Sequence, residues 1–233
     1  MNDDVELFEE RLELVREDGV TLPGTRLTPS FESAEGMNGA GVVVVAGEWG
    51  LEPADYERFA KPLARLGFFV VATDLVRGMR AESAAAAQQR AAGLDHAIAI
   101  DDIEAALLCV KELARGRLGV IGLDVAAQVA IEAATVLPHI DAVVHIGGPP
   151  PRETARLQRL RAAILVHKAA HGEMNDAAYM AMYERMRRSK ADLLGHDYDA
   201  SESFFVRPQG EDEEMQARIA FDRTRDFLVA TLT

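Results

Sequence analysis

The chain has 233 residues, 48% hydrophobic and 27% charged, which are ordinary globular proportions and enough length to bury a sheet on both faces. A formal net charge of −13 leaves no basic stripe to neutralise phosphates, so neither nucleic acid nor an anionic membrane surface is an expected partner. Cys109 is the sole cysteine, which excludes an internal disulfide framework and a cysteine zinc cluster.

The acidic opening stretch MNDDVELFEERLELV lacks the basic and apolar regions of a secretory signal, and no apolar run approaches the ~18 residues of a membrane span, so the expected location is the cytoplasm. Residues 10–29, ERLELVREDGVTLPGTRLTP, alternate as two strands about Asp18-Gly19, a dipeptide that favours a hairpin turn. Small and polar residues from Ser30 to Gly39 read as a loop. Val42–Ala46 is an unbroken apolar, β-branched run, the pattern of a strand covered on both faces. A helix is expected over ADYERFAKPLARLG, with Pro53 in its first turn, Gly67 closing it and Pro62 kinking it. FFVVATD is a second buried strand ending at Asp74. The Ala/Gln/Arg-rich stretch from Arg77 to Ala92 has helical propensity but little apolar periodicity, fitting either a surface helix or an excursion over a site.

Asp95–Arg115 reads as an amphipathic helix with Ile98, Ile103, Leu107, Leu108 and Leu113 on its apolar face, and Cys109 as a small buried hydrophobe. LGVIGLD, DAVVHIGG and AAILVHKAA are further buried strands, and HDYDASESFFV a last strand or strand-turn. Between and after them run the helices VAAQVAIEAATVL, AAYMAMYERMRRSK and EMQARIAFDRTRDFLVATL. Strands alternating with helices imply right-handed βαβ units, hence an α/β domain over 1–233 with a mainly parallel sheet, helices on both faces and an N-terminal hairpin. Ligands in such sheets sit at the carboxyl ends of the strands, which draws attention to Glu48, Trp49, Asp74, Asp124, Gly147, Gly148, His171 and Glu202.

Gly122-Leu123-Asp124-Val125-Ala126 lies between a buried strand and an Ala-rich helix, the layout of a nucleophile elbow with small residues at the tight turn. Three readings of Asp124 stand side by side: a helix cap, part of a glycine-poor phosphate loop, or an elbow nucleophile.

The order of these features resembles the dienelactone hydrolase family, an α/β-hydrolase fold, over nearly the whole chain. EDGVTLPGTRLTP is similar to the family's opening hairpin, VVVVAGEWGLEP to its strand and glutamate loop, FAKPLARLGFFVVATDL to its helix and strand, LGVIGLDVAA to its nucleophile strand and elbow, and YDASESFF to its histidine loop. The resemblance implies a small-molecule hydrolase without a cofactor, acting as a monomer on small lactones or esters. It places the family's nucleophilic cysteine at Asp124 and its histidine at Glu202, with the acid within residues 167–176, where Ala170, His171, Gly172 and Asp176 compete. It also implies oxyanion donors at the N–H groups of Trp49 and Val125, and substrate contacts from Arg77 or Arg80 with Ser203.

With carboxylates at the nucleophile and histidine positions, three chemistries remain open. Asp124 attacks carbon while His171, oriented by Glu202, activates water. Alternatively Glu48, Asp124 and Glu202 form a carboxylate site for proton transfer. In the third reading the triad is lost and the chain binds a small molecule or a partner without turning it over. The carboxylates and histidines have no metal-ligand spacing, so no metal is expected.

Overall fold

The computed structural model describes residues 7–170, 172, 174–189, 191–201 and 204–233. The chain order begins with β1 (Phe8–Val15), β2 (Thr21–Thr28), α1 (Phe31–Gly36), β3 (Gly41–Ala46), α2 (Pro53–Asp55), α3 (Lys61–Leu66) and β4 (Phe69–Asp74). It continues through α4 (Ala84–Gly93), α5 (His96–Lys111), β5 (Leu118–Leu123), α6 (Val125–Ala134), β6 (Ala142–Ile146), β7 (Ala163–Ala169), α7 (Asp176–Met186), β8 (Leu193–Tyr198) and α8 (Gly210–Leu232). The eight strands form one sheet in the order β1-β2-β4-β3-β5-β6-β7-β8. The β1–β2 and β2–β4 pairs are antiparallel and the remaining neighbours are parallel. This is an α/β-hydrolase fold with an N-terminal antiparallel hairpin.

The unbroken apolar runs become the central strands because both of their faces are covered. Along β3, Val43 and Val45 point into one core with α5 and α6, while Val42 and Val44 point into the other with Phe59, Leu63 and α8. All four valines are fully buried, each stabilising the fold by about 1.5–3 kcal/mol relative to exposure. The edge strand β1 instead alternates, with Leu14 inward and Glu13 and Val15 outward. Its turn holds Gly19 at φ 82°, as the Asp18-Gly19 dipeptide leads one to expect.

Two local expectations, the loop at 30–39 and the apolar face of α5, are corrected, and two are made more definite. Residues 31–36 are a helix rather than loop, because the Ser30 side chain caps α1 by accepting from the Ser33 N–H. The expected helix is continuous from Pro53 to Leu66, with a π-helical segment over Tyr56–Ala60 joining α2 to α3, and Pro62 follows that segment at the start of α3. On α5, Ile98 and Leu108 are exposed, as is Leu113 in the turn after it, whereas Ala99, Ile103, Ala106 and Val110 face the core. The last strand starts at Leu193 and ends at Tyr198, so Phe204 and Phe205 are buried turn residues that close the second core.

Candidate active site

Asp124 follows β5 and immediately precedes α6, and its backbone is the most constrained feature of the site. It is a non-glycine residue at φ 55°, ψ −131°, a region that side chains avoid because Cβ crowds the neighbouring carbonyl. Its side chain makes no capping bond to α6, so the helix-cap reading does not describe it. The turn is held by its own N–H, which donates to the Ile146 carbonyl at 2.9 Å, and by its carbonyl, which accepts from the Ala127 N–H at 2.9 Å. The small-residue pattern explains how so tight a turn closes. A Cβ on Gly122 would lie 2.5 Å from the Ala126 carbonyl oxygen, and one on Gly148 would lie 2.1 Å from the Asp124 carbonyl oxygen. Backbone, not flexible side chains, blocks both positions.

Glu48 arrives from the loop after β3. Its Oε2 accepts the Val125 N–H at 3.0 Å, so the carboxylate sits on the donor that the resemblance assigns to an oxyanion. Asp74, buried at the end of β4, shapes the same loop: its carboxylate accepts the N–H groups of Val76, Gly78 and Leu51. The Arg207 guanidinium lies 4.1 Å over the Trp49 ring and also pairs with Glu52 at 3.1 Å.

Glu48, Trp49, Asp124 and Val125 line one cleft of about 550 Å³. Its far wall is α4, presenting Ala87, Gln88 and Ala91, so the Ala-rich stretch flanks the site. The near wall is the loop after β6, with Gly148, Pro149 and Arg152, and Gln128 of α6 also faces the cleft. Among the described residues, no group of three His, Cys, Asp or Glu side chains is placed to hold a metal ion.

The remaining sequence candidates fall elsewhere. Arg77 is exposed, with its guanidinium 3.8 Å from the buried Asp102. Arg80 lines a separate cleft beside the hairpin with Arg11, Tyr56 and Asp74. Neither is among the residues lining the Asp124 cleft. His171, Glu202 and Ser203 lie outside the described residues. Asp176 pairs with Lys168, which also holds Asp197 at 2.7 Å on the neighbouring strand.

The sequence profile of the dienelactone hydrolase family matches residues 30–232. The chain belongs to the dienelactone hydrolase family. Among solved structures, the protein called m3DLH is 23% identical over 97% of this chain and 99% of its own, with a TM-score of 0.81. A dienelactone hydrolase-like promiscuous phosphotriesterase, P91, from metagenomic libraries is 20% identical over 97% and 99%, with a TM-score of 0.80. The esterase Pf2001 of Pyrococcus furiosus is more distant, at 14% identity over 97% and 93% and a TM-score of 0.66. At such identities these structures establish the fold. No curated protein matches the sequence. No helix among the described residues is long and apolar enough to cross a membrane.

The sequence reading passed over Gln128, Glu132 and Arg152. A signal for the first two was present. They are polar residues one turn apart in a helix that is otherwise apolar from Val125 to Ala134, and all ten of those positions are buried. Polar groups in such a helix need partners. Arg152 carried no signal, since only the folded loop brings it to the cleft.

Proposed function

We propose that this protein is a small-molecule hydrolase of the dienelactone hydrolase type in which Asp124 is the nucleophile. The observation supporting this most directly is the Asp124 backbone at φ 55°, ψ −131°, a strained elbow whose residue lines the cleft and makes no capping bond to α6. A structural cap has no use for that strain. The substrates this chemistry suits are small molecules with an electrophilic saturated carbon, such as alkyl halides and epoxides.

In the first step an Asp124 Oδ–carbon bond forms as the carbon–halogen or ring carbon–oxygen bond breaks; a halide departs with the electron pair, whereas the epoxide oxygen stays on the substrate and takes a proton from solvent. Water then adds to the Asp124 carboxyl carbon. Collapse of the tetrahedral intermediate releases the alcohol and restores the carboxylate. One water proton passes to a base, either Glu48 or a His171 oriented by Glu202, and from there to the departing alcohol oxygen, and the second leaves the Asp124 carboxyl for solvent. The Val125 N–H, with that of Trp49, is the donor suited to the oxyanion of the second step. One N–H cannot serve Glu48 and the oxyanion together, so Glu48 gives up its 3.0 Å bond when the intermediate forms.

Single turnover of 1-bromobutane or styrene oxide in ¹⁸O-labelled water tests the assignment. Attack on the Asp124 carboxyl carbon puts the label into the peptide carrying Asp124, whereas direct attack of water on the substrate puts it in the product alone. Turnover by Asp124→Asn at the wild-type rate, with no label in the protein, refutes the nucleophile.

The Glu48–Val125 bond favours a second reading, in which Glu48 and Asp124 act as a proton-transfer pair without a covalent intermediate. Glu48→Gln separates the two. With an Asp124 nucleophile, the ester on Asp124 still forms: it accumulates if Glu48 is the base, and it turns over if His171 is. With a proton-transfer pair, turnover is lost and no adduct appears.

A further inference from the structure

The loop after β6 is buried or half-buried from Gly147 to Pro151 and exposed from Arg152, and three side chains beneath it hold it. The His145 Nε2 lies 3.1 Å from the Pro149 carbonyl oxygen. The Gln128 amide Nε2 donates to the Pro150 carbonyl. The Glu132 carboxylate, one turn further along α6, accepts the Arg152 N–H at 2.6 Å. Three successive anchors thus come from side chains that are themselves buried: His145 fully, Gln128 at 3% and Glu132 at 6% exposure. Glu132 is fixed in turn by Nδ1 of His96, the first residue of α5 just beyond the cleft-wall helix α4. Burial alone raises the Glu132 pKa, but the His96 bond and the Arg152 and Glu153 amides outweigh it and keep the carboxyl below its ordinary range.

Burying polar groups is costly unless each finds a partner, and here the partners are spent on aiming a loop. What the loop delivers is Arg152, whose side chain is exposed at the cleft. Among the described residues lining that cleft, Arg152 is the one cation, set against the carboxylates of Glu48 and Asp124. Among the described residues its guanidinium pairs with no carboxylate, so its donors face the cleft, open to a bound molecule.

We propose that Arg152 is a specificity-determining residue that receives an anionic group, such as a carboxylate, on the substrate of this cleft, and that Gln128 and Glu132 are the positioning residues that aim it. The assignment rests on the cleft being the substrate site. It does not require Asp124 to be the nucleophile, so the test is one of binding and not of turnover.

Benzoate and benzamide have nearly the same shape and differ in charge, and Trp49, the sole tryptophan, lines the cleft and reports occupancy by its fluorescence. Titrations are made on the wild type and on Asp124→Asn, which separates binding from chemistry. Benzoate is expected to bind about tenfold more tightly than benzamide in both, the scale of a single exposed charge-assisted contact. The preference shrinks as salt is added. Arg152→Gln removes the preference, and Arg152→Lys keeps part of it. Glu132→Gln weakens it although Arg152 is retained, with a circular dichroism spectrum and unfolding midpoint that show the variant folded. The proposal is overturned if neither probe binds at millimolar concentration, if the two bind equally, or if the preference survives Arg152→Gln. It is also overturned if Arg207→Gln, at the guanidinium on the other side of Trp49, removes the preference while Arg152→Gln does not.

Discussion

Replacing Asp124 by alanine and by glycine tests the elbow strain directly, because the two variants lack the carboxylate equally and differ only in Cβ. At an ordinary position glycine is less stable than alanine by about 0.5–1 kcal/mol, from the extra freedom of its unfolded chain. At φ 55°, ψ −131° the Cβ itself is the problem, and a side chain held in such a region costs about 1–3 kcal/mol. The difference predicts that Asp124→Gly is more stable than Asp124→Ala by up to about 2 kcal/mol, a reversal of the usual order. For a chain of this size each kcal/mol moves the midpoint by roughly 2–4 °C. Urea and thermal unfolding of the pair at neutral pH measure it. Both variants lose turnover if Asp124 is the nucleophile. An alanine variant as stable as the glycine variant, or more so, refutes the claim that the elbow is strained and removes the main support for a nucleophile there.

Acid titration offers a second test, with two opposing contributions. Burial pushes His145 down to about 4 and holds His167 well below its ordinary value of 6.5, the latter held between Tyr198 and Thr224. The unfolded chain therefore binds more protons than the folded one below about pH 6.5, and the stability these neutral imidazoles contribute is lost as pH falls from there towards 4. Asp55 runs the other way. Burial raises it from 3.8 to about 6, so its destabilising charged form disappears as pH falls through that window. His145→Gln is expected to flatten the acid limb, and Asp55→Asn to steepen the loss while raising stability at pH 7. Urea midpoints at pH 7 and pH 5 read both, and a variant whose pH profile overlays the wild type contradicts its assignment. Gly148→Ala places a methyl 2.1 Å from the Asp124 carbonyl oxygen at φ 74°, and a loss of about 3 kcal/mol or failure to fold is expected. A loss within about 0.5 kcal/mol means that loop and elbow are not in contact.

Much of the fold was legible because the signals were local and redundant. Five apolar runs without alternation could only be strands covered on both faces, and alternation in the first thirty residues could only be a hairpin with a wet side. The elbow was legible for a similar reason, since Gly122 and Ala126 flank Asp124 between a strand and a helix. Misreadings arose where several local patterns were compatible. Ile98, Leu108 and Leu113 are as apolar as Ile103 and Leu107, and only packing against the sheet selects the stripe through Ala99, Ile103, Ala106 and Val110 that faces it. Small residues from Ser30 to Gly39 read as a loop, whereas the Ser30 side chain caps α1 by accepting the otherwise unpaired Ser33 N–H.

The sequence by itself determined the alternation of strands and helices, the acidic surface and the tight turn that must carry Asp124, because chain neighbours and side-chain periodicity fix those. Tertiary structure alone decided that Glu48 sits on the Val125 N–H, that Arg80 opens onto a different cleft, and that Arg152 reaches the Asp124 cleft. These are meetings of loops distant in the chain, set by the parallel order β4-β3-β5-β6 that gathers their carboxyl ends side by side. No pattern along one segment encodes which loop end will stand beside which, because that depends on crossovers and on buried partners such as Glu132, whose role exists only once the helix beneath the loop is in place.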